Sequence, residues 1–308
     1  MRARGAMDVA VGTTDAKESQ VTSQLNHQKR SALGLRWRRF RRNRLAVMGI
    51  VVVLLLVLAA VFASFVAPYS YSTADFANTY LSPNAQHWLG TDSLGRDVLS
   101  RIIWALRNAF AVGFGAEVVE LTVGLMIGAI AGYLGGFVDN VLMRVVDIVY
   151  AFPSFLFSIV LVVLLGHNLG AILIAVSATS WVGMARIVRS QVMRLRQTGF
   201  IESARGMGAG NARIIRRYLL PNSMGPILVA VTFGIPANMM TEAGLSVVGL
   251  GIEPPTPDLG QMIMQGQQAM FSYPYLLWAP ALIFAITLVC FAFVGDGMRD
   301  AFDMKGKR

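Results

Sequence analysis

The sequence predicts an all-α membrane protein with six transmembrane helices, and three observations carry that reading. Of 308 residues, 55% are hydrophobic and only 14% are charged, with a mean hydropathy of +0.56, whereas soluble domains carry about 25% charged residues. Six apolar runs of spanning length are separated by short polar segments. The charge is also segregated. The amino-terminal tail, the loop between the fourth and fifth runs and the carboxyl terminus hold 23 of the 27 Lys and Arg residues, and none falls between Tyr218 and Met298. That is the positive-inside pattern, and it argues against reading the net charge of +10 as a nucleic-acid face.

Residues 1–44 form a basic cytoplasmic tail and residues 45–308 a transmembrane domain. Up to about residue 30 the tail mixes Ala, Gly, Ser, Thr and Gln without an apolar period, which reads as disorder. Six arginines between Arg36 and Arg44 then abut the first run and hold the amino terminus inside. The first span, about 45–66, is about 33 Å long as a helix and matches a bilayer core of roughly 30 Å. It is too long and begins too late to be a cleaved signal peptide, despite the small residues around Ala63 to Ala67.

Residues 67 to about 107 are polar and lie outside. Thr91 or Asp92 is expected to cap a helix whose Arg96, Asp97 and Arg101 face water. The second span is about 108–134. Its Gly113, Glu117, Glu120, Gly124, Gly128 and Gly132 recur at steps of three and four, so they share one face, and the last three glycines make a close-packing stripe. After the turn Gly135-Gly136 comes the third span, about 141–165, in which Arg144 and Asp147 are spaced to pair and Pro153 should kink the helix. His167 and Asn168 mark an outer turn before the fourth span, about 169–184, which ends inside at Arg186, Arg189, Arg194 and Arg196. The fifth span, about 223–248, contains Pro236 and Glu242. A proline-rich outer loop, Gly249 to Met262, precedes the sixth span, about 275–294.

The loop 197–222, QTGFIESARGMGAGNARIIRRYLLPN, organises the chain. Two short helical runs are expected, Phe200 to Met207 and Ala212 to Leu219, separated by Gly208-Ala209-Gly210. The second should end before Pro221. On physics alone, a basic amphipathic loop resting on anionic head groups is an alternative.

The order of residues adds more. Glu202-Ser203-Ala204, then Gly208, then Leu220-Pro221 resembles the cytoplasmic signature of binding-protein-dependent ABC importer permeases. Ser203 replaces the usual first Ala of that signature, and Tyr218 stands where many relatives carry His. The segments HWLGTDSLGRDVLSR from His87, MRVVDIVYAFPS from Met143, GLGIEPPTPDLGQM from Gly249 and the ending GDGMRDAFDMKGKR resemble the dipeptide, oligopeptide, glutathione and nickel members. Leu259 replaces a frequent Trp, and Met304 the usual proline.

The resemblance implies a type I ABC importer permease fold with a cytoplasmic coupling helix, in a bacterial inner membrane with both termini inside. It implies that Glu202, Ser203, Ala204, Arg205, Gly208, Leu220 and Pro221 dock on an ATPase subunit. The implied partners are a second homologous permease, two ABC ATPase subunits, an extracytoplasmic binding protein and membrane lipid, with no nucleic acid. ATP and magnesium would sit on the ATPases, leaving this chain without a bound cofactor. Peptides are the favoured substrate, with nickel or glutathione as alternatives.

Exclusions follow from the residues. The chain has no phosphate loop: its four lysines, Lys17, Lys29, Lys305 and Lys307, lack the required glycine-rich context. No nucleophile motif points to an enzyme. Cys290 is the single cysteine, and His27, His87 and His167 lack ligand spacing. No metal site is expected, since His87 recurs in the family whatever the substrate. Glu117, Glu120 and Glu242 are the substrate-path candidates. In an ion-coupled carrier they would instead bind the coupling ion, and a membrane scaffold without transport is the third class. Glu117 and Glu120 are not usual in the family. An acidic residue at mid-membrane costs roughly 2.5–3.5 kcal/mol, so the two either pack within protein or line the route and favour cationic groups.

Overall fold

Asn43 opens the membrane domain by accepting a hydrogen bond from Ala46 N–H on its Oδ1 (3.2 Å), which caps helix α1, Arg44–Val61. The computed structural model describes Gly34 and residues 37–302. The expected disorder up to residue 30, Arg36, and the ending at Met304 lie outside the described residues. After a break at Phe62 the first apolar run continues as a single turn, Ala63–Val66.

Helix α2, Val98–Leu134, starts ahead of the expected second span. Asp97 caps it, accepting from Ser100 N–H and Oγ–H, each at 2.7 Å, so neither Thr91 nor Asp92 is the cap. Nor do Arg96, Asp97 and Arg101 face water: they are buried, at 7%, 2% and 2% exposure. Asp92 explains why. Its carboxylate accepts from Arg96 Nε at 2.7 Å and from Arg101 Nη1, and from the backbone N–H of Leu94 and Arg96. His87 Nδ1 lies 2.9 Å from Asp97. Opposite charges that satisfy one another can be covered by the loop that folds over them, and polarity along the chain does not reveal that cover.

Helices α3, Gly136–Ala151, and α4, Ser154–Leu165, meet at 79° around Phe152-Pro153. The expected kink is therefore a break. Alone, α4 is about 18 Å long, too short for a bilayer core of roughly 30 Å. The Arg144–Asp147 pair is not formed. Asp147 instead accepts from Arg186 Nη2 at 2.8 Å, and the Arg186 guanidinium lies 4.1 Å from the Tyr150 ring centre. An interhelical ion pair backed by an aromatic face displaces a neighbour-to-neighbour pair of a few tenths of a kcal/mol.

Helix α5, Leu169–Arg196, is capped by Asn168 and packs along α2 through the glycine stripe. A methyl group placed on Gly124 would lie 2.6 Å from Met184 Cβ, on Gly128 2.8 Å from Val188 Cβ, and on Gly132 3.0 Å from Val192 Cβ. Only glycine permits that approach. A short helix α6, Gly199–Gly206, leads to α7, Asn211–Leu250. The run expected to end before Pro221 instead continues through it. Residues Ile215–Leu219 form a π turn in which Leu220 N–H donates to Ile215 O. The widened turn makes room for a proline ring that has no donor of its own. A second π turn, Ser246–Leu250, ends α7 at Gly249, whose φ is +87°.

Asp258 caps α8, Leu259–Gln268, and α9, Tyr275–Phe302, returns beside α1 and α7. Among the described residues, α1, α2, α5, α7 and α9 are each long and apolar enough to cross a bilayer, and α3 with α4 makes a sixth span if the bent pair counts as one.

Candidate functional site

The loop between α5 and α7 is seated by its apolar side. Ile201 on α6 is buried with Val188 and Val192 of α5 and with Ile214 and Leu219 of α7, and Ala204 is buried on the same helix. Gly208 reverses the chain at φ +79°, a conformation that glycine adopts without strain, and its N–H donates to Arg205 O at 2.9 Å. Nothing lies within 4 Å of where its side chain would be. The bend therefore projects into open space.

Glu202, Ser203, Arg205 and Gly208 are brought together on one exposed surface, whereas Ala204 faces inward. Ser203 Oγ–H donates to Gly199 O at 2.9 Å, so its departure from alanine costs no unsatisfied group. Leu220 and Pro221 do not join this surface in sequence or element: they belong to the first turns of the spanning part of α7. Two exposed apolar residues, Phe200 at 43% and Met207 at 79%, complete the surface. Sequence reasoning missed both, though an apolar side chain beside a glycine bend in a polar loop was an available signal.

Tyr133, at the end of α2, ties the loop to the spans. Its hydroxyl donates to Asn211 Oδ1 at 2.9 Å, the Arg205 guanidinium lies 5.3 Å from its ring centre, and its carbonyl accepts from Arg196 Nη1 at 2.9 Å. Arg189 pairs with both oxygens of Asp139 at 2.5 and 2.6 Å, which fixes α3 on α5 by a bidentate contact.

The three acidic candidates occupy three different settings. Glu117 is 4% exposed and sits against Gly234 of α7, with neither carboxyl oxygen hydrogen-bonded. Glu120, one turn on, is half-buried and lines a cavity of about 340 Å³ between α2, α4, α5 and α7. Glu242 is fully buried, with both oxygens lacking hydrogen-bond partners. It lies close to Asp258, which caps α8 through Gly260 and Gln261 N–H and accepts from Ser246 Oγ. No cluster of three or more potential metal ligands occurs among the described residues.

A bundle of helices long and apolar enough to cross a membrane, with a short exposed helix and glycine bend at one end, defines a multi-pass membrane protein. Residues 124–307 match the family described as binding-protein-dependent transport system inner membrane component, and residues 31–83 match the N-terminal transmembrane domain of oligopeptide transport permease C. The chain is 41% identical over 267 residues to the oligopeptide transport system permease protein OppC of Bacillus subtilis, covering 87% of this chain and 88% of the relative. It is 40% identical to the dipeptide transport system permease protein DppC of the same organism, covering 88% and 85%. It is 38% identical to the glutathione transport system permease protein GsiD of Pectobacterium atrosepticum, covering 88% and 90%. Among solved structures, an inward-facing MetNI methionine ABC transporter chain shares the fold with a TM-score of 0.54 at 22% identity, over 64% of this chain and 94% of that one. The protein belongs to the family of binding-protein-dependent ABC importer inner-membrane permeases.

Proposed function

We propose that the chain forms one half of the membrane path of an ATP-driven importer of di- and oligopeptides. The observation that carries this reading is 41% identity to an oligopeptide permease, sustained over nearly nine-tenths of both chains. A second homologous permease completes the path. Two ATPase subunits bind and hydrolyse ATP with magnesium, and an extracytoplasmic binding protein delivers the substrate. The path opens to each side in turn, driven through the exposed Glu202, Ser203, Arg205 and Gly208 of the coupling loop, with the buried Ala204 seating it and Leu220 and Pro221 transmitting its displacement into α7. Both termini and the coupling helix lie in the cytoplasm, a placement that the arginine distribution supports. Glu120 faces the path, with Glu117 and Glu242 behind it.

Glutathione is a second reading, favoured by 38% identity to a glutathione permease over 88% of the chain. Uptake of labelled peptides and of glutathione into proteoliposomes holding the full complex separates the two. Vanadate-sensitive peptide uptake is expected. Uptake that is driven by an ion gradient and insensitive to vanadate would overturn the importer reading.

A further inference from the structure

The cavity beside Glu120 is lined by hydroxyl groups around a single carboxyl group. Its wall includes Glu120 on α2, Ser154 and Ser158 on α4, Thr179 and Ser180 on α5, and Asn238 and Thr241 on α7. Three of the five hydroxyl groups spend their protons within the helices: Ser158 Oγ donates to Ser154 O and Ala175 O at 3.0 Å each, Ser180 Oγ to Ser177 O at 3.4 Å, and Thr241 Oγ1 to Ala237 O at 3.0 Å. A hydroxyl so committed offers only lone pairs to the cavity. Glu120 adds a carboxyl group, and no Lys, Arg or His lines the wall among the described residues. The unpaired carboxyl group of Glu117 lies just behind, against Gly234, which also lines the cavity.

A second observation concerns Asn238. It is only 4% exposed, and its amide nitrogen has no hydrogen-bond partner. It stands near the Glu120 carboxyl group. A buried donor left unmatched is costly unless something fills the place. Beside the acceptors, then, the wall offers a buried amide donor.

We propose that this cavity is a subsite for a protonated amino group with a neighbouring carbonyl, the chemistry of a peptide amino terminus. The inference rests on the importer reading given above and names what its path holds. An ammonium has three donors and no acceptor, which matches Glu120 with the hydroxyl lone pairs of Ser158, Ser180 and Thr241. The carbonyl on the next carbon beyond Cα takes the Asn238 amide. Because the counter-ion of Glu120 arrives with the cargo, the site is transient and suits a transporter.

The test uses the assembled complex in liposomes, with Cys290→Ala and the partner subunits freed of reactive thiols, so that Thr241→Cys is the single reporter. Its modification by cationic and anionic methanethiosulfonate reagents is timed and normalised to a free thiol in water. The cationic reagent should be favoured by about tenfold, the effect of one nearby carboxylate in a medium of intermediate dielectric. Glu120→Gln should bring the ratio close to unity, and Glu120→Asp should restore it. Glycinamide, an ammonium beside an amide carbonyl, should protect the thiol, whereas N-acetylglycinamide should not. A ratio indifferent to Glu120→Gln would overturn the proposal. So would equal protection by the two amides, or equal protection by sodium or potassium ions at the same concentration. Labelling needs no transport, so a complex that fails to take up peptide would defeat the importer reading while leaving this result legible.

Discussion

The Tyr133 hydroxyl donates to Asn211 Oδ1 at 2.9 Å. This joins the last turn of α2 to the first residue of α7 across the loop that carries α6 and the Gly208 bend. With Arg205 over the same ring, one side chain grips both arms of the bend. In the proposed docking role such an element transmits displacement only if it is stiff relative to its support, and this contact ties the loop to the end of α2.

Tyr133→Phe removes the hydroxyl and keeps the ring over which Arg205 lies. The expected loss of stability is small, about 0.5–1.5 kcal/mol. Transport is expected to fall more than ATP hydrolysis, because the loop still docks but moves without its span. Uptake and phosphate release measured on the same proteoliposomes give the ratio, and a proportional fall in both would show that the contact has no coupling role.

Gly208→Trp places a bulky side chain where the bend meets open space, at a φ that costs a non-glycine residue roughly 1–2 kcal/mol. The spans do not touch this position, so the protein should insert and assemble normally while losing transport and substrate-stimulated ATPase activity. Gly208→Asn, which tolerates the left-handed conformation, should retain most of both. Undiminished ATPase stimulation in the tryptophan variant would reduce the loop to a lipid-facing amphipath.

Topology can be read with reporter fusions. Those at Asn84 and Pro257 should report outside, and those at Gly210 and Arg308 inside. An inside signal at Pro257 would contradict six crossings and leave α3 and α4 as a re-entrant pair.

Asp92→Asn removes the charge that balances Arg96 and Arg101 in a nearly closed setting. Leaving buried guanidinium groups uncompensated costs about 3–5 kcal/mol. The variant should show a lower melting temperature and faster proteolysis of the segment between Ala67 and Asp97. Asp75→Asn, at an exposed cap, serves as the mild comparison. Equal stability of the two variants would mean that water already reaches the arginines.

The apolar runs, the glycine stripe and the glycine bend at Gly208 were legible in the sequence because each rests on a local property: run length against bilayer thickness, helical periodicity, or residue order around a bend. The bilayer makes this easier, since every backbone polar group must be satisfied within its own helix and few architectures remain. Partners distant in the chain were not legible. Arg186 takes Asp147 from its near neighbour Arg144, Asp92 gathers two arginines under a loop, and a π turn carries α7 through Pro221. Each outcome depends on which groups the packed helices bring face to face. The same holds for the acidic residues. Glu117 and Glu120 share a helical face in the sequence, yet only the position of α7 puts Gly234 against the first and Asn238 beside the second, because burial and hydrogen bonding are set by the neighbouring helix and not by the residue's own.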